Sequence, residues 1–329
     1  MRRPLALLAA VLALAASAAG AAEPLDLDIT RLGPPSGYVW MLARCGAPSP
    51  TCVQSAEDDA LASDARMRFA MLSSELALSL SSALLQPAAT VGHAGFAFDM
   101  EVAYTQVHKE VVGTGVFPAP PAAAAFPRNY WPTHNKTPSE LLVPSFHVRK
   151  SLPFSLELGG RILYLSQSSY FAAQLHGKWA IQEGYARIPD VALLFAHTMF
   201  LGQKDLNLAS TDLQLLVSKR FGVNAVMSLT PYLGLRYLLV RASSDPIGYA
   251  PDQPTPSPPT TIVAAAAEVP ALTRSLYRTT LGLRMTASAF TMAVEGTWFG
   301  GGHYKASDGY PEYSLESSLG AAFKLGFEF

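Results

Sequence analysis

The chain has 329 residues, of which 50% are hydrophobic and 15% are charged. The charged fraction lies below the roughly 25% of average soluble domains, and the hydrophobic fraction excludes disorder as a description of the whole chain. A helical membrane protein is also excluded, because no stretch after the first 22 residues approaches the ~18 consecutive apolar residues that a spanning helix needs. Strands that are apolar on one face only would explain both observations.

The first 22 residues predict a secretory signal peptide. Arg2 and Arg3 precede an uncharged apolar stretch, and residues 19–21 or 20–22 fit the small-x-small cleavage pattern. No cysteine lies near the cleavage point, so a lipid-anchored protein is not expected. Removing the two arginines leaves 22 basic against 25 acidic residues, a net charge of −3. This balance argues against nucleic acid as a partner.

The two cysteines, Cys45 and Cys52, are predicted to form a disulfide. An exported chain folds in an oxidising compartment, and the six intervening residues can form a short closed loop. A metal pair and a catalytic thiol are the alternatives. The disulfide is favoured because no histidine accompanies the cysteines at ligand spacing.

From residue 94 onward the hydrophobic period is two, which is typical of strands. In segment 94–107 the even positions are apolar or aromatic, whereas the odd positions include Asp99 and Glu101. The same alternation recurs in nine later segments. The ten predicted strands are 94–107, 140–150, 154–166, 171–182, 190–201, 210–221, 227–242, 273–286, 289–299 and 313–329.

Three features favour a membrane barrel over a soluble β-sandwich. The predicted strands are longer than the five or six residues of globular strands and reach the ~9 to 11 residues that cross a bilayer. Aromatic residues lie toward strand ends, as in interfacial girdles, and short connections alternate with connections that are mostly longer. The sequence therefore predicts an all-β, antiparallel transmembrane β-barrel of about ten strands, with roughly 8 to 14 remaining open. An even strand number would place both barrel termini in the periplasm.

The end of the chain resembles that of bacterial outer-membrane β-barrel proteins. Residues 322–329 alternate aromatic or apolar residues with others and end on a terminal phenylalanine, so that Phe327 and Phe329 share the apolar face. The resemblance covers residues 94–329. It implies that Phe327 and Phe329 act as an assembly signal read by the barrel-assembly machinery. It also implies contact with outer-membrane lipid and localisation in the bacterial outer membrane.

Residues 23–90 are predicted to be a plug or periplasmic segment that precedes the barrel at 91–329. Residues 23–65 are expected to be irregular. A helix is favoured over 67–85, where four leucines recur every four residues, although alternation within that run leaves a strand open. The leucines are Leu72, Leu76, Leu80 and Leu84.

We expect residues 67–88 to lie inside the barrel or against its periplasmic mouth, because burying each leucine is worth roughly 1.5 to 3 kcal/mol. Residues 82–89 are also similar to the stretch that closes the N-terminal hatch of the long-chain fatty-acid transporter (FadL-like) family, where a helix is followed by Asn-Pro-Ala; here the tripeptide is Gln86-Pro87-Ala88. That resemblance implies uptake of hydrophobic molecules through a plugged barrel.

Charged side chains on the faces turned away from lipid are expected to line the lumen. We expect Asp99 and Glu101 to face Lys324, and Glu295 to lie beside the strand that carries Arg278. An ion-pair network that fills a narrow barrel is the favoured interpretation, and a selectivity or catalytic cluster is the alternative. The predicted network comprises Asp99, Glu101, Glu157, Arg161, His176, Lys178, Arg236, Arg278, Glu295 and Lys324.

Two proline-rich connections, 108–139 and 243–272, are expected on the outer side. They carry few charges, and Phe117 and Trp131 in the first of them are candidates to meet a hydrophobic ligand. The alternative is that these connections only shield the top of the barrel.

No catalytic motif is present, since the sequence lacks Gly-x-Ser-x-Gly, His-Glu-x-x-His, Gly-x-Gly-x-x-Gly and Walker patterns. We therefore expect no enzymatic activity, no cofactor and no metal. The expected function is passage or binding of small, hydrophobic molecules. A structural or surface-adhesive barrel is the second hypothesis, and a membrane-embedded hydrolase is the third. A plug inside the barrel would favour transport, whereas a free periplasmic segment would favour a structural role.

Overall fold

The computed structural model of the protein describes residues 23–45, 50–81, 84–108, 130–133, 138–185, 187–223, 226–248, 266–300, 302–304 and 313–329. The predicted signal peptide and Phe117 lie outside the described residues.

Ten long antiparallel strands form a closed barrel. Each strand pairs with its neighbours in sequence, and closure comes from pairing of the first strand with the last. The strands are β1 Phe96–Gln106, β2 Glu140–Leu152, β3 Leu156–Tyr164, β4 Phe171–Gln182, β5 Asp190–Leu201, β6 Asn207–Ser218, β7 Met227–Ser243, β8 Leu272–Ala287, β9 Phe290–Phe299 and β10 Ser318–Glu328. The predicted fold class and strand number are confirmed.

Some predicted strand ends differ from the observed ones for local reasons. Phe154 and Ser155 have positive φ angles of 65° and 58° and form the turn that precedes β3, which therefore begins two positions later than predicted. The predicted start of the last strand is also wrong, because Tyr313–Leu315 pairs with Gly302–Tyr304 as a separate hairpin. The backbone of Tyr313–Leu315 pairs outside the barrel wall, which the hydrophobic period does not reveal.

The outer face of the barrel is apolar. Met100 on β1 and Leu175 on β4 are 70% and 72% exposed, which is stable only where lipid replaces water. Large aromatic side chains, among them Trp179, Tyr277 and Trp298, lie toward the strand ends of the same face. This is the band and girdle arrangement of transmembrane barrels. None of the described helices is both long and apolar enough to cross a membrane.

The two ends of the barrel differ. Connections 153–155, 183–189, 219–226 and 288–289 share one end with both termini of the barrel, whereas the long connections 107–139, 244–271 and 300–317 lie at the other. Outer-membrane barrels have short periplasmic turns and longer outer loops. We therefore refer to the first as the periplasmic end and to the second as the outer end.

The segment before the barrel contains a 3-10 helix at Ile29–Leu32 and two α-helices, α1 at Gly37–Cys45 and α2 at Ala56–Leu80. The expectation of irregular structure up to residue 65 is therefore wrong. Helix α2 begins early because Ser55 caps it: the Asp58 amide donates to Ser55 Oγ (3.3 Å), and the Ser55 amide donates to the Asp58 carboxylate (2.8 Å). This capping box and the acidic first turn stabilise the helix start. Cys45 and Cys52 form the predicted disulfide between the helices.

Helix α2 lies inside the barrel. Every residue from Met67 to Leu80 is buried, so this part of the helix has no face turned to solvent. The helix contacts β1 and β2 as well as β6 and β7, which are strands on opposite sides of the barrel. Leu72, Leu76 and Leu80 are buried in it, whereas Leu84 lies beyond its end, also buried.

The segment runs through the lumen from the outer end to the periplasmic end. Near its start the Leu25 amide donates to the carbonyl of Gln167 (2.9 Å) in an outer connection. Near its end the Thr90 amide donates to Glu183 (2.7 Å) in a periplasmic turn. The helix thus occupies the outer part of the lumen, and residues 84–91 occupy the periplasmic part, a deeper insertion than docking against the periplasmic mouth.

Candidate functional site

The inward face of the barrel has two layers. On β2, for example, the buried inward side chains change from Leu141 and Val143 toward the outer end to His147 and Arg149 toward the periplasmic end. Inward apolar residues of most strands join the α2 side chains in one hydrophobic cluster. The charged residues collect in the other layer, next to residues 84–91, which form no regular secondary structure.

Asp99 is one centre of the charged layer. Its carboxylate accepts hydrogen bonds from Nε (3.1 Å) and Nη2 (3.0 Å) of Arg149, and Lys324 Nζ lies 3.4 Å from the same oxygen. The expected approach of Lys324 to Asp99 is present. Gly326 lies opposite Asp99 on β10, and a Cβ at that position would collide with the Asp99 carboxylate. The glycine thus makes room for the ion pair.

Glu101 is the second centre. It accepts from Arg161 Nη1 (2.8 Å) and from Ser145 Oγ (3.4 Å), and it pairs with His147 Nδ1 (3.0 Å). Arg161 lies on β3, and its carboxylate partner Glu101 comes from β1, two strands away. Neighbouring strands alone do not predict this pair, because long arginine side chains reach across one strand.

A third group ties the barrel to the segment inside it. Lys178 Nζ lies 3.1 Å from Glu157 and also donates to Gln86 Oε1 (3.1 Å) and to the carbonyl of Ala89 (3.0 Å). Arg149 Nη1 lies 3.4 Å from the same Gln86 oxygen. Lys178 and Arg149 therefore satisfy barrel carboxylates and hold residues 84–91 at the same time.

Arg236 on β7 and Arg278 on β8 lie side by side and bind the C-terminal end of α2. Arg236 donates to the carbonyl of Ser81 (2.7 Å), and Arg278 donates to the carbonyls of Leu78 (3.3 Å) and Ser81. Carbonyls at the end of a helix lack the amide partners of the helix interior and carry the negative end of the helix dipole. The predicted proximity of Glu295 to Arg278 does not produce a hydrogen bond; Glu295 accepts from Tyr232 instead (2.9 Å).

Glu75 holds α2 near the outer end of the barrel, as Arg236 and Arg278 hold its C-terminal end. It accepts from the Trp131 indole N–H (2.9 Å) and from the His108 amide (3.0 Å), and it contacts His108 Nδ1 (3.1 Å). Trp131, which the sequence predicts as a contact for a hydrophobic ligand, is instead buried at 2% exposure. The hydrogen bond to Glu75 raises the pKa of His108 above its ordinary value, while partial burial opposes the rise.

Several buried polar atoms of the charged layer have no hydrogen-bond partner among the described residues. They include Nε2 of His147, both ring nitrogens of His176, and Oε1 of Glu295. Buried polar groups of this kind are normally satisfied by ordered water. The arrangement favours a hydrated periplasmic half of the lumen beneath a dry outer half.

Asp99, Glu101 and His147 place ligand atoms within 4.8 Å of one another, a spacing that a metal ion could use. Arg149, Arg161 and Lys324 already neutralise the two carboxylates, which favours ion pairs over a bound cation. Ser145 contacts the Glu101 carboxylate and not the imidazole, so no hydrogen bond links this serine to a histidine base. The expectation of no enzymatic activity stays a prediction.

All ten charges predicted for the lumen are buried in the structure. The sequence analysis missed the polar groups of the inserted segment, above all Glu75 and Gln86. A signal exists for each, since Glu75 interrupts the leucine-rich run of α2 and Gln86 stands between Leu85 and Pro87. Both residues contact charged or polar groups that the barrel supplies.

The fold and the lipid-facing band define a β-barrel of the bacterial outer membrane. No protein-family model and no curated protein matches the chain. Solved structures similar to it include Ail, the attachment invasion locus protein of Yersinia pestis (11% identity, 72% of this chain and 100% of that chain, TM-score 0.27). The N-terminal β-barrel domain of Pseudomonas aeruginosa OprF is similar at 11% identity, over 72% of this chain and 99% of that chain, with a TM-score of 0.29.

The translocator domain of the autotransporter NalP from Neisseria meningitidis is similar at 12% identity, over 82% of this chain and 99% of that chain, with a TM-score of 0.37. Identities and TM-scores of this size carry no argument about activity. The resemblance of residues 82–89 to fatty-acid transporters is not shown by these comparisons.

The buried ion pairs predict a strong effect of charge reversal at Lys324. Removing one partner of a buried pair costs about 3 to 5 kcal/mol, and Lys324→Glu adds a second negative charge beside Asp99. We expect the variant to lose its compact, heat-modifiable form at a clearly lower temperature in detergent. Lys204→Glu, in an exposed outer connection, serves as the control and should leave that temperature unchanged. Equal stability of the Lys324→Glu variant would mean that water, and not Asp99, solvates the lysine.

The contact between His108 and Glu75 predicts a pH-dependent contribution to stability. Because the folded-state pKa of His108 is raised, the charged pair stabilises the fold fully below the unfolded-state pKa of about 6.5. This contribution disappears as the pH rises through the higher folded-state pKa. We expect the difference in melting temperature between the natural chain and His108→Gln to be largest below pH 6.5 and to shrink at alkaline pH. His93→Gln, at an exposed position, is the control; a pH-independent difference for His108→Gln would contradict the pairing.

Proposed function

We propose that this chain is a gated outer-membrane barrel, in which small molecules pass through the lumen when the N-terminal segment shifts. The observation that carries the proposal is that a separate segment, residues 56–81 and 84–91, fills the lumen together with the side chains of the strands. This segment is covalently attached to the barrel but is not part of its wall. It can therefore move aside while the barrel stays folded. A plug in this position is also the feature that the sequence analysis associated with transport.

The two layers of the lumen support a gate at α2. In the outer half, helix side chains and inward strand residues form one apolar cluster that excludes water. In the periplasmic half, both ring nitrogens of His176 and Oε1 of Glu295 have no hydrogen-bond partner among the described residues, which favours hydration. Helix α2 is then the barrier between a hydrated vestibule and the cell exterior.

The side chains that line the lumen indicate which class of molecule the barrel would pass. Seven buried cationic side chains and six carboxylates face the periplasmic part of the lumen: Arg149, Arg161, Lys178, Arg236, Arg278, Arg284 and Lys324, with Asp99, Glu101, Glu157, Asp212, Glu295 and Glu328. The apolar part of the lining is covered by α2 itself. This distribution favours small polar molecules over the hydrophobic cargo expected from the sequence.

A structural or surface-adhesive role is the second candidate, and a specific observation favours it. The start of the N-terminal segment is bound to the outer connections: the Asp28 amide donates to the carbonyl of Pro132 (2.8 Å), and the Leu27 amide donates to the Tyr170 hydroxyl (2.8 Å). Asp26 accepts from Ser169 in the same region (2.9 Å). These bonds support presentation of the segment on the outer face, which needs no opening of the lumen.

The gate predicts a change in ion conductance. Removal of residues 23–88 behind an intact signal peptide should leave the barrel assembled and raise its single-channel conductance in planar bilayers, because the apolar seal is lost. Arg236→Gln combined with Arg278→Gln frees only the C-terminal end of α2, and we expect brief openings from this variant. The matched control is Arg241→Gln, an exposed arginine on the same strand as Arg236, and it should remain closed.

Conductance that stays at the closed level in an assembled deletion variant would contradict the gate. The side chains of the strands would then seal the lumen by themselves. In that case the surface role would replace transport as the leading function. The double arginine variant keeps the test valid if the deletion prevents assembly.

A further inference from the structure

A polar cavity of about 210 Å³ opens at the periplasmic mouth of the barrel, apart from the contacts that hold α2. Its walls come from the connection after β6, the start of β7, the end of β8 with the turn that follows, the end of β10, and residues 90–91 of the inserted segment. Two guanidinium groups and four hydroxyl groups line it, together with the Glu328 carboxylate. The residues that carry these guanidinium and hydroxyl groups are Arg220, Arg284, Thr90, Ser228, Thr286 and Ser288.

Arg284 is the buried cation of this cavity, at 3% exposure. It contacts Glu328 with Nη1 and Nη2, each at 3.2 Å. Glu328 is also bound by Arg149 at 3.0 Å, so two buried guanidinium groups share this carboxylate. Arg220 adds a further positive charge at the rim. Among the side chains that line the cavity, two are cationic, Arg220 and Arg284, and one is anionic, Glu328.

Hydrogen-bond donors in the cavity wall lack acceptors. Nε of Arg284 and Oγ1 of Thr286 are buried and have no hydrogen-bond partner within the part of the chain that the structure describes. Ser228 and Ser288 bring two more hydroxyl groups to the same walls. Groups of this kind normally have a partner, and an acceptor such as ordered water or an anionic oxygen fits these donors.

We propose that this cavity binds a phosphate group. Guanidinium groups recognise phosphate through paired, charge-assisted hydrogen bonds, and hydroxyl donors can satisfy the remaining oxygens. A metal cation is disfavoured by Arg220 and Arg284. The phosphate can belong to a soluble phosphate ester or to a phospholipid headgroup, because Phe329, which is 68% exposed, also lines the cavity and borders the lipid-facing surface.

The test uses the full mature chain in a phosphate-free, non-ionic detergent. Inorganic phosphate is titrated calorimetrically into the natural protein and into Arg220→Gln, Thr286→Val and Arg187→Gln. Arg187 is an exposed arginine at the same end of the barrel that does not line the cavity, so it is the matched control. Arg220→Gln and Thr286→Val avoid the buried ion pair of Arg284, so neither is expected to impair folding.

The proposal predicts saturable phosphate binding that weakens about tenfold or more in Arg220→Gln, since a hydrogen bond to a charged group is lost. Binding should weaken less in Thr286→Val and remain unchanged in Arg187→Gln. Native mass spectrometry with phosphatidylglycerol, and with diacylglycerol as the phosphate-free lipid, then shows whether the bound phosphate belongs to a lipid headgroup or to a soluble ester. A phosphatidylglycerol adduct that Arg220→Gln removes indicates a headgroup, whereas phosphate binding without such an adduct indicates a soluble ester. Absence of phosphate binding, or equal affinity in all variants, would overturn the proposal.

Discussion

The structure depends on how a helix can end inside a barrel. The last carbonyls of a helix lack the amide partners of the helix interior, and inside a barrel the strands can supply donors to them. Arg236 and Arg278, adjacent on β7 and β8, supply them to Leu78 and Ser81. Because these arginines fix the depth of the helix, they also fix the boundary between the apolar outer half of the lumen and its charged periplasmic half.

The charges below that boundary are better understood as determinants of position than as a source of net stability. A buried ion pair recovers little more than the desolvation cost of its members, but leaving one member unpaired is costly. Lys178 and Arg149 each contact both barrel carboxylates and Gln86 of the inserted segment. Alternative placements of residues 84–91 would leave those cations with fewer partners. The network therefore selects one path for the segment through the lumen.

The barrel could be predicted from the sequence because strands facing lipid on one side and a lumen on the other must alternate. The pairing of Asp99 with Lys324 could be predicted for two reasons. The alternating pattern shows that both side chains face the lumen, and closure of a barrel brings the first strand beside the last. Trp131 could not be placed, since its partner Glu75 is 56 positions away and belongs to a helix whose depth depends on Arg236 and Arg278. The early start of α2 was missed because its stabilising groups, Ser55 and Asp58, lie outside the leucine repeat.

The N-terminal segment crosses the lumen with its start at the outer face, and labelling with a membrane-impermeant maleimide on intact cells tests this crossing most directly. Asp26→Cys and, separately, Arg187→Cys are introduced into a chain with Cys45→Ser and Cys52→Ser. The cysteine at position 26 should be labelled on intact cells, whereas the cysteine at position 187, in a periplasmic turn, should be labelled only after the outer membrane is permeabilised. Labelling of both positions only after permeabilisation would contradict the crossing.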